Sequence, residues 1–131
     1  MYTITKEFSF EAAHHLEGLR PDHQCARPHG HSYRVEVELQ RSDLTGVGFV
    51  YDYGNLDDFK KFIDTHLDHR DLNEVFQTDY FETNFKTKSL NYNTSAENLA
   101  HVLFLWCKRK WMWTSAVRVS ETAKTWAEYR P

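Results

Sequence analysis

The sequence predicts an α+β domain with an antiparallel sheet, its elements running strand, strand, helix, helix, strand, strand. Three observations lead there. Two segments near the start alternate apolar and polar residues with a period of two. Two segments further along carry apolar residues at helical spacing. The period returns to two near the end.

In residues 2–13, Ile4, Phe8, Phe10 and Ala12 occupy even positions. Thr3, Thr5, Glu7, Ser9 and Glu11 occupy odd ones, with Lys6 the exception. That is a half-buried strand with its even face inward. In residues 31–40 the parity reverses, with Tyr33, Val35, Val37 and Leu39 apolar. Residues 17–28 between them read as a loop. Gly46-Val47-Gly48 marks a turn. Leu56, Phe59, Phe62, Ile63 and Leu67 follow at helical spacing, with Asp52 or Asn55 as the cap. Residues 67–93 are polar, dotted with aromatics and without a period. Thr94-Ser95-Ala96-Glu97 reads as a capping box ahead of a helix whose stripe is Leu99, Val102, Leu103 and Trp106. Val117, Val119 and Glu121 then share one strand face, and a last short strand spans about 125–129.

Composition narrows the function classes. A chain of 131 residues is one domain, residues 1–131, large enough to bury roughly two-thirds of its unfolded surface. Aromatics at 15% argue against disorder. The net charge of −3 gives no basic excess for a phosphate backbone, so nucleic-acid binding is not expected. The longest apolar run, 102–107, is too short to span a membrane. The first twenty residues carry Glu7, Glu11 and Glu17 and do not resemble a signal peptide. Two cysteines cannot build a disulfide framework, so a cytoplasmic location is the default.

The eight histidines are the compositional anomaly. His14 lies on the even, inward face of the first strand. His29 and His31 lie on the odd, inward face of the second. In an antiparallel hairpin the end of one strand adjoins the start of the next, so the three imidazoles converge. Three His ligands with an open fourth position suit a catalytic zinc. With no carboxylate completing the cluster, zinc is favoured over iron. His15 has the wrong parity and is expected to be exposed. Any one of these histidines alone would more simply be an ordinary hydrogen-bonding residue.

Other candidates keep more than one reading. Cys25, four residues before His29, is a fourth ligand, a base or nucleophile just outside the metal shell, or simply a small buried residue. Cys107, inside an apolar helical run, reads as core. Asp68 beside His69 can orient the ring and raise its basicity, although such pairs also occur on surfaces by chance. Glu121 has apolar parity, where an unpaired carboxylate is costly. It must reach water at the strand end or meet a dedicated partner, such as a heterocycle edge with two parallel donors.

These residues fall into an ordered set. It comprises Phe8-x-Phe10-Glu11-Ala12-Ala13-His14, Cys25-x-x-x-His29-Gly30-His31, Leu67-Asp68-His69-x-x-Leu72-Asn73, Thr94-Ser95-x-Glu97-Asn98-Leu99-Ala100 and Glu121-Thr122. The set resembles the 6-pyruvoyltetrahydropterin synthase family, and within it the small bacterial 6-carboxytetrahydropterin synthase branch of queuosine biosynthesis. The resemblance implies a tunnelling fold, a four-stranded antiparallel sheet with two helices on one face. It implies a homohexamer built as a dimer of trimers, with active sites between subunits. His14, His29 and His31 would bind Zn2+; Cys25, Asp68 and His69 would transfer protons; Glu121 would anchor the pterin. The substrate would be 7,8-dihydroneopterin triphosphate, converted to 6-carboxytetrahydropterin with loss of acetaldehyde and triphosphate. The alternatives are a synthase that stops at 6-pyruvoyltetrahydropterin and a non-catalytic zinc- or pterin-binding module. The sequence departs from the family pattern at Asn93, where Pro is usual, at Ser120, where Lys is frequent, and over 76–92, which is longer and more aromatic.

Overall fold

The computed structural model describes the whole chain, Met1–Pro131. Strands β1 (Tyr2–His14) and β2 (His29–Arg41) pair antiparallel without a register break, from Tyr2 opposite Arg41 to His14 opposite His29. Phe8, Phe10, Ala12 and His14 on β1 and Tyr33, Val35, Val37 and Leu39 on β2 are all buried. The alternation in the sequence therefore marks the inner face correctly.

Helix α1 (Asp57–His66) is followed by β3 (Arg70–Asp71), α2 (Leu72–Phe76), α3 (Asp79–Phe85) and α4 (Ala96–Lys110), then β4 (Thr114–Ser120) and β5 (Ala127–Tyr129). The sheet order is β3-β1-β2-β4-β5. The Phe8 and Phe59 rings meet edge-on at 5.1 Å, fixing α1 against β1. Phe104 lies 5.1 Å from Tyr129, fixing α4 against β5. Phe59 and Trp106 stack at 5.6 Å between the two long helices. Burying such aromatics stabilises by about 2–3 kcal/mol each relative to exposure.

The sheet has five strands and is mixed, not four-stranded and antiparallel. The added strand, β3, runs parallel to β1 through Ala12–Arg70 and Ala13–Asp71. It is pinned there from outside its own span: the Glu11 N–H donates to Asp68 Oδ1 at 2.9 Å, and the His69 N–H donates to the Glu11 carbonyl at 2.6 Å. A two-residue strand is too short to show a period, which hides it in the sequence.

Residues 67–93 hold this strand, α2, α3 and a 3-10 turn at Thr87–Leu90. Phe76, Phe81 and Phe85 are buried, and Phe81 packs against Phe62 of α1 at 6.1 Å. The long aromatic stretch thus extends the core. Two caps also differ from expectation. Asp52 caps a 3-10 turn at Tyr53–Leu56, accepting from the Gly54 N–H at 2.8 Å; Asn55 caps nothing. Ser95, not Thr94, caps α4, accepting from the Asn98 N–H at 3.2 Å. Thr94 is buried and turned elsewhere.

The outer face of the sheet carries charge. Glu38 of β2 is buried there and accepts from Arg118 at 2.6 Å, from Arg130 at 2.7 Å and from the Ser115 hydroxyl at 2.7 Å. Burial alone would raise its carboxyl. The hydrogen bonds from Arg130, Arg118 and Ser115 outweigh it and hold the group down to about 2. A depressed carboxylate stabilises the fold above its unfolded pKa and loses that contribution as pH falls through the folded value. Glu38→Gln should therefore cost about 2–4 kcal/mol at pH 7, the range for breaking a mostly buried charged network. Urea denaturation should show that gap narrowing between about pH 4.5 and pH 2.

Candidate metal centre

The unbroken β1–β2 register brings His14, His29 and His31 together on the inner face. Ring centroids lie 4.7 Å apart for His14–His29, 5.1 Å for His14–His31 and 4.8 Å for His29–His31. One ring nitrogen from each falls within 4.8 Å of the others. His14 is buried; His29 and His31 are half-buried and open to the outside.

The remaining nitrogens are held by the chain. His14 Nδ1 lies 3.0 Å from the Thr94 carbonyl oxygen, and His29 Nδ1 lies 2.7 Å from the Arg27 carbonyl oxygen. A carbonyl only accepts, so each Nδ1 carries the hydrogen and each Nε2 is left as a lone-pair donor. Burial lowers the His31 pKa and so favours its neutral form, against the opposing pull of Glu121. His14 Nε2 is buried and has no hydrogen-bond partner. A buried nitrogen without a partner is costly unless a cation takes it. The donor set therefore fits a metal ion.

Glu121 stands where its parity put it, on the inner side at the strand end nearest the histidines, but it comes closer to them than a cluster without a carboxylate allows. It lies one residue beyond β4, its side chain 26% exposed. Its Oε2 stands 3.2 Å from both His14 Nε2 and His31 Nε2. The approach to His14 is close without being aligned as a hydrogen bond. The His14 contact holds the Glu121 carboxyl below the usual range, against burial. The strand parity placed Glu121 on the inner side, but parity along one strand cannot reveal which residues lie across the sheet.

Cys25 sits in a 3-10 turn, Gln24–Ala26, and is half-buried. Its carbonyl accepts from the Leu16 N–H at 2.8 Å, and its N–H donates to His23 Nδ1 at 3.0 Å. The turn is thereby tied to the end of β1. Cys25 lies outside the three-histidine group. Cys107 is fully buried, and burial pushes its thiol up.

Asp68 and His69 form a pair on the far edge of β1. Asp68 Oδ2 accepts from His69 Nδ1 at 2.8 Å. His69 adopts a left-handed backbone, φ 58°, steadied by its N–H bond to Glu11. The Glu11 N–H, then His69, hold the Asp68 carboxyl down, and the Asp68 hydrogen bond raises His69 above its ordinary 6.5. Neither residue hydrogen-bonds to Cys25 or to the three histidines. The His69 side chain is 77% exposed, but it borders a hollow that also reaches His31.

Sequence reasoning missed Thr94, Asn73 and Tyr33. Thr94 and Asn73 are buried beside His14. Tyr33, fully buried, packs 5.5 Å from His31 with its hydroxyl unpartnered. Thr94 and Asn73 were visible as motif positions, but a cap and a helix residue are what those patterns usually mean. His15, expected to be exposed, is half-buried because its backbone is gripped by Asn73.

Fold and site together define a small α+β protein that presents a metal-type cluster of three histidines at the open end of a long hairpin. Comparison with known proteins places it further. The sequence model described as 6-pyruvoyl tetrahydropterin synthase matches residues 3–131, and the chain belongs to that family. A Haemophilus influenzae protein named 6-carboxy-5,6,7,8-tetrahydropterin synthase is 33% identical, over 99% of each chain. A Rickettsia felis protein of the same name is 31% identical over 76% of this chain and 75% of its own. The solved structure of Caenorhabditis elegans 6-pyruvoyl tetrahydropterin synthase superposes with a TM-score of 0.76 at 27% identity, covering 99% of this chain and 95% of that one. No helix is long and apolar enough to cross a membrane.

The Asp68–His69 contact gives a direct test. Asp68→Asn keeps an oxygen for the Glu11 N–H and removes the charge beside the ring. The His69 titration midpoint, followed by NMR, should fall back toward the ordinary histidine value; an unchanged midpoint would show that Asp68 does not set the basicity of the ring.

Proposed function

We propose that the protein is a zinc-dependent lyase acting on 7,8-dihydroneopterin triphosphate. The product is 6-carboxytetrahydropterin, with acetaldehyde and triphosphate released, on the route to queuosine and related 7-deazaguanines. The observation that carries this reading is the convergence of three imidazole nitrogens on one point beside a carboxylate. Family membership supports the pterin substrate class. The carboxy name of a relative matched over 99% of both chains supports the product.

His14, His29 and His31 would hold the zinc through Nε2, consistent with the carbonyl partners of Nδ1 on His14 and His29. Zinc bound there supplies Lewis acidity to the side-chain hydroxyls of the substrate and acidifies the neighbouring C–H and O–H bonds. Glu121 accepts from the amino group and ring N–H on the pterin edge, a bidentate arrangement that fixes the ring. Cys25 moves a proton at the substrate side chain. His69, oriented and made more basic by Asp68, completes the transfer at its Nε2.

Asp68 and His69 act on the site of a neighbouring subunit in a homohexamer, a dimer of trimers. Two features support this. The pair touches neither Cys25 nor the histidines of its own chain, and the His69 ring is largely exposed. The sheet ends in strands of two and three residues, which leave edges free for pairing between copies.

Incubation with 7,8-dihydroneopterin triphosphate should yield 6-carboxytetrahydropterin; accumulation of 6-pyruvoyltetrahydropterin would select the pyruvoyl reaction instead. Metal analysis should find about one zinc per chain, lost in His29→Ala and His31→Ala and retained in His15→Ala. Full zinc in both strand variants would reject the cluster. Cys25→Ala should keep its zinc and lose most turnover, whereas a collapse in zinc affinity would make Cys25 a ligand. Glu121→Gln puts an amide donor against the donors of the pterin edge. Pterin affinity should fall by roughly 2–4 kcal/mol with zinc content unchanged. Equal substrate binding by that variant and the parent would move ring recognition elsewhere.

A further inference from the structure

We infer that Asn73 and Thr94 are positioning residues whose side chains reinforce the hydrogen-bond polarity that the Thr94 carbonyl imposes on His14, and thereby strengthen His14 as a metal ligand. The inference rests on the metal reading above and concerns side chains that touch neither metal nor substrate.

The backbone of His15 fixes the polarity of the Asn73 amide. The His15 N–H donates to Asn73 Oδ1 at 2.9 Å, and Asn73 Nδ2 donates to the His15 carbonyl at 3.0 Å. A backbone N–H can only donate and a backbone carbonyl can only accept. This two-point clamp therefore decides which end of the Asn73 amide is oxygen. The oxygen also lies 3.3 Å from the Thr94 hydroxyl. An amide oxygen has no hydrogen to give, so Thr94 must be the donor in that bond. The other partner in reach of the hydroxyl, the His15 carbonyl at 3.5 Å, is likewise an acceptor. Either choice turns the hydroxyl hydrogen away from His14.

Thr94 Oγ1 then offers lone pairs toward His14 Nδ1, 3.2 Å away, beside the Thr94 carbonyl oxygen at 3.0 Å. Two acceptors face one ring nitrogen. That nitrogen must carry the hydrogen, and the lone pair is driven to Nε2, the buried atom without a hydrogen-bond partner. The same contacts orient the ring and raise the basicity of Nε2, as outer partners of ligating histidines do.

Each link is buried. His14 is 1% exposed, Thr94 0% and Asn73 8%, so water does not readily replace a missing partner. The relay also joins three separate parts of the chain: the end of β1, the start of α2 and the residue before the cap of α4. Asn73 is itself placed by Asp71, which caps α2 by accepting from the Asn73 N–H at 2.9 Å. The metal site is thereby tied to the segment in which the exposed Asp68–His69 pair sits.

The test uses the full chain with zinc as the probe. Thr94→Val keeps the shape and the carbonyl but removes the hydroxyl; Asn73→Ala removes the clamp. Zinc affinity by chelator competition should fall about tenfold in each, at the lower end of the range for losing such an outer partner. Thr94→Ser should restore it to within about threefold of the parent. In the zinc-loaded protein, the His14 Nδ1–H resonance should shift in both variants. Ser95→Ala removes the neighbouring cap, tests helix stability alone, and should leave both readouts unchanged. Thr94→Val and Asn73→Ala binding zinc within twofold of the parent, with an unmoved resonance, would overturn the relay while leaving the metal site intact. Equal losses in Ser95→Ala would likewise overturn it, as a general effect of destabilisation. A parent chain that binds no zinc would overturn both the relay and the metal reading. Should Asn73→Ala fail to fold, the contrast between Thr94→Val and Thr94→Ser decides the matter.

Discussion

The register that sets His14 opposite His29 is the constraint on which the site depends. A slip of one residue would send every side chain of β1 to the other face. It would expose Phe8 and Phe10, bury Glu7 and Glu11, and remove His14 from the other two histidines. Core and site thus draw on one pattern. The apolar pairs Phe8–Val35 and Phe10–Tyr33 lock the register along the strand, and Phe10 and Tyr33 also stack at 4.9 Å. The histidines stand two and four pairs beyond them. Burial in the body of the sheet therefore positions groups at its end that are themselves too polar to hold the strands together.

That division explains which parts of the molecule were legible in the sequence. Long strands and long helices announce themselves through their periods, so β1, β2, α1, α4 and β4 were readable. The three histidines were readable for the same reason, since two of them sit on β2 and the third shares its face on β1. What failed was short or decided from across the sheet. β3 has two residues and exists because Asp68 and His69 bind the Glu11 backbone, fifty-seven residues away in the case of Asp68. The helices within 67–93 are short, and their apolar residues face a core made elsewhere. Thr94 matched a capping pattern, yet its hydroxyl answers to Asn73 and His14 while Ser95 does the capping. Local rules name the residue types a helix start needs, and tertiary contacts choose among them.

The two faces of the sheet carry different electrostatic strategies. On the outer face, Glu38 is satisfied by Arg118, Arg130 and Ser115, and the carboxylate remains charged at little cost because donors surround it. On the inner face, Glu121 meets only the edges of two imidazoles, neither well aligned. The first arrangement is closed, with every oxygen engaged by a donor of the same chain. The second is open, its acceptor capacity largely unused within the chain. The two carboxylates differ in the satisfaction of their partners, more than in burial or in charge.

Where Asp68 and His69 stand follows from the same economy of positions. The inner face at the end of β1 holds the three imidazoles, Glu121, Tyr33 and the Thr94–Asn73 pair. Asp68 and His69 take the outer edge of β1 instead. There the backbone of Glu11 does for Asp68 what the carbonyl of Thr94 does for His14: it fixes one side of the group and directs the other. Asp68 spends Oδ1 on the backbone and Oδ2 on the His69 ring, so His69 is left with its Nε2 outward. His69 is thus held by its backbone and by Nδ1, while most of its ring stays exposed. The shared-site assembly proposed above is the simplest geometry that uses it.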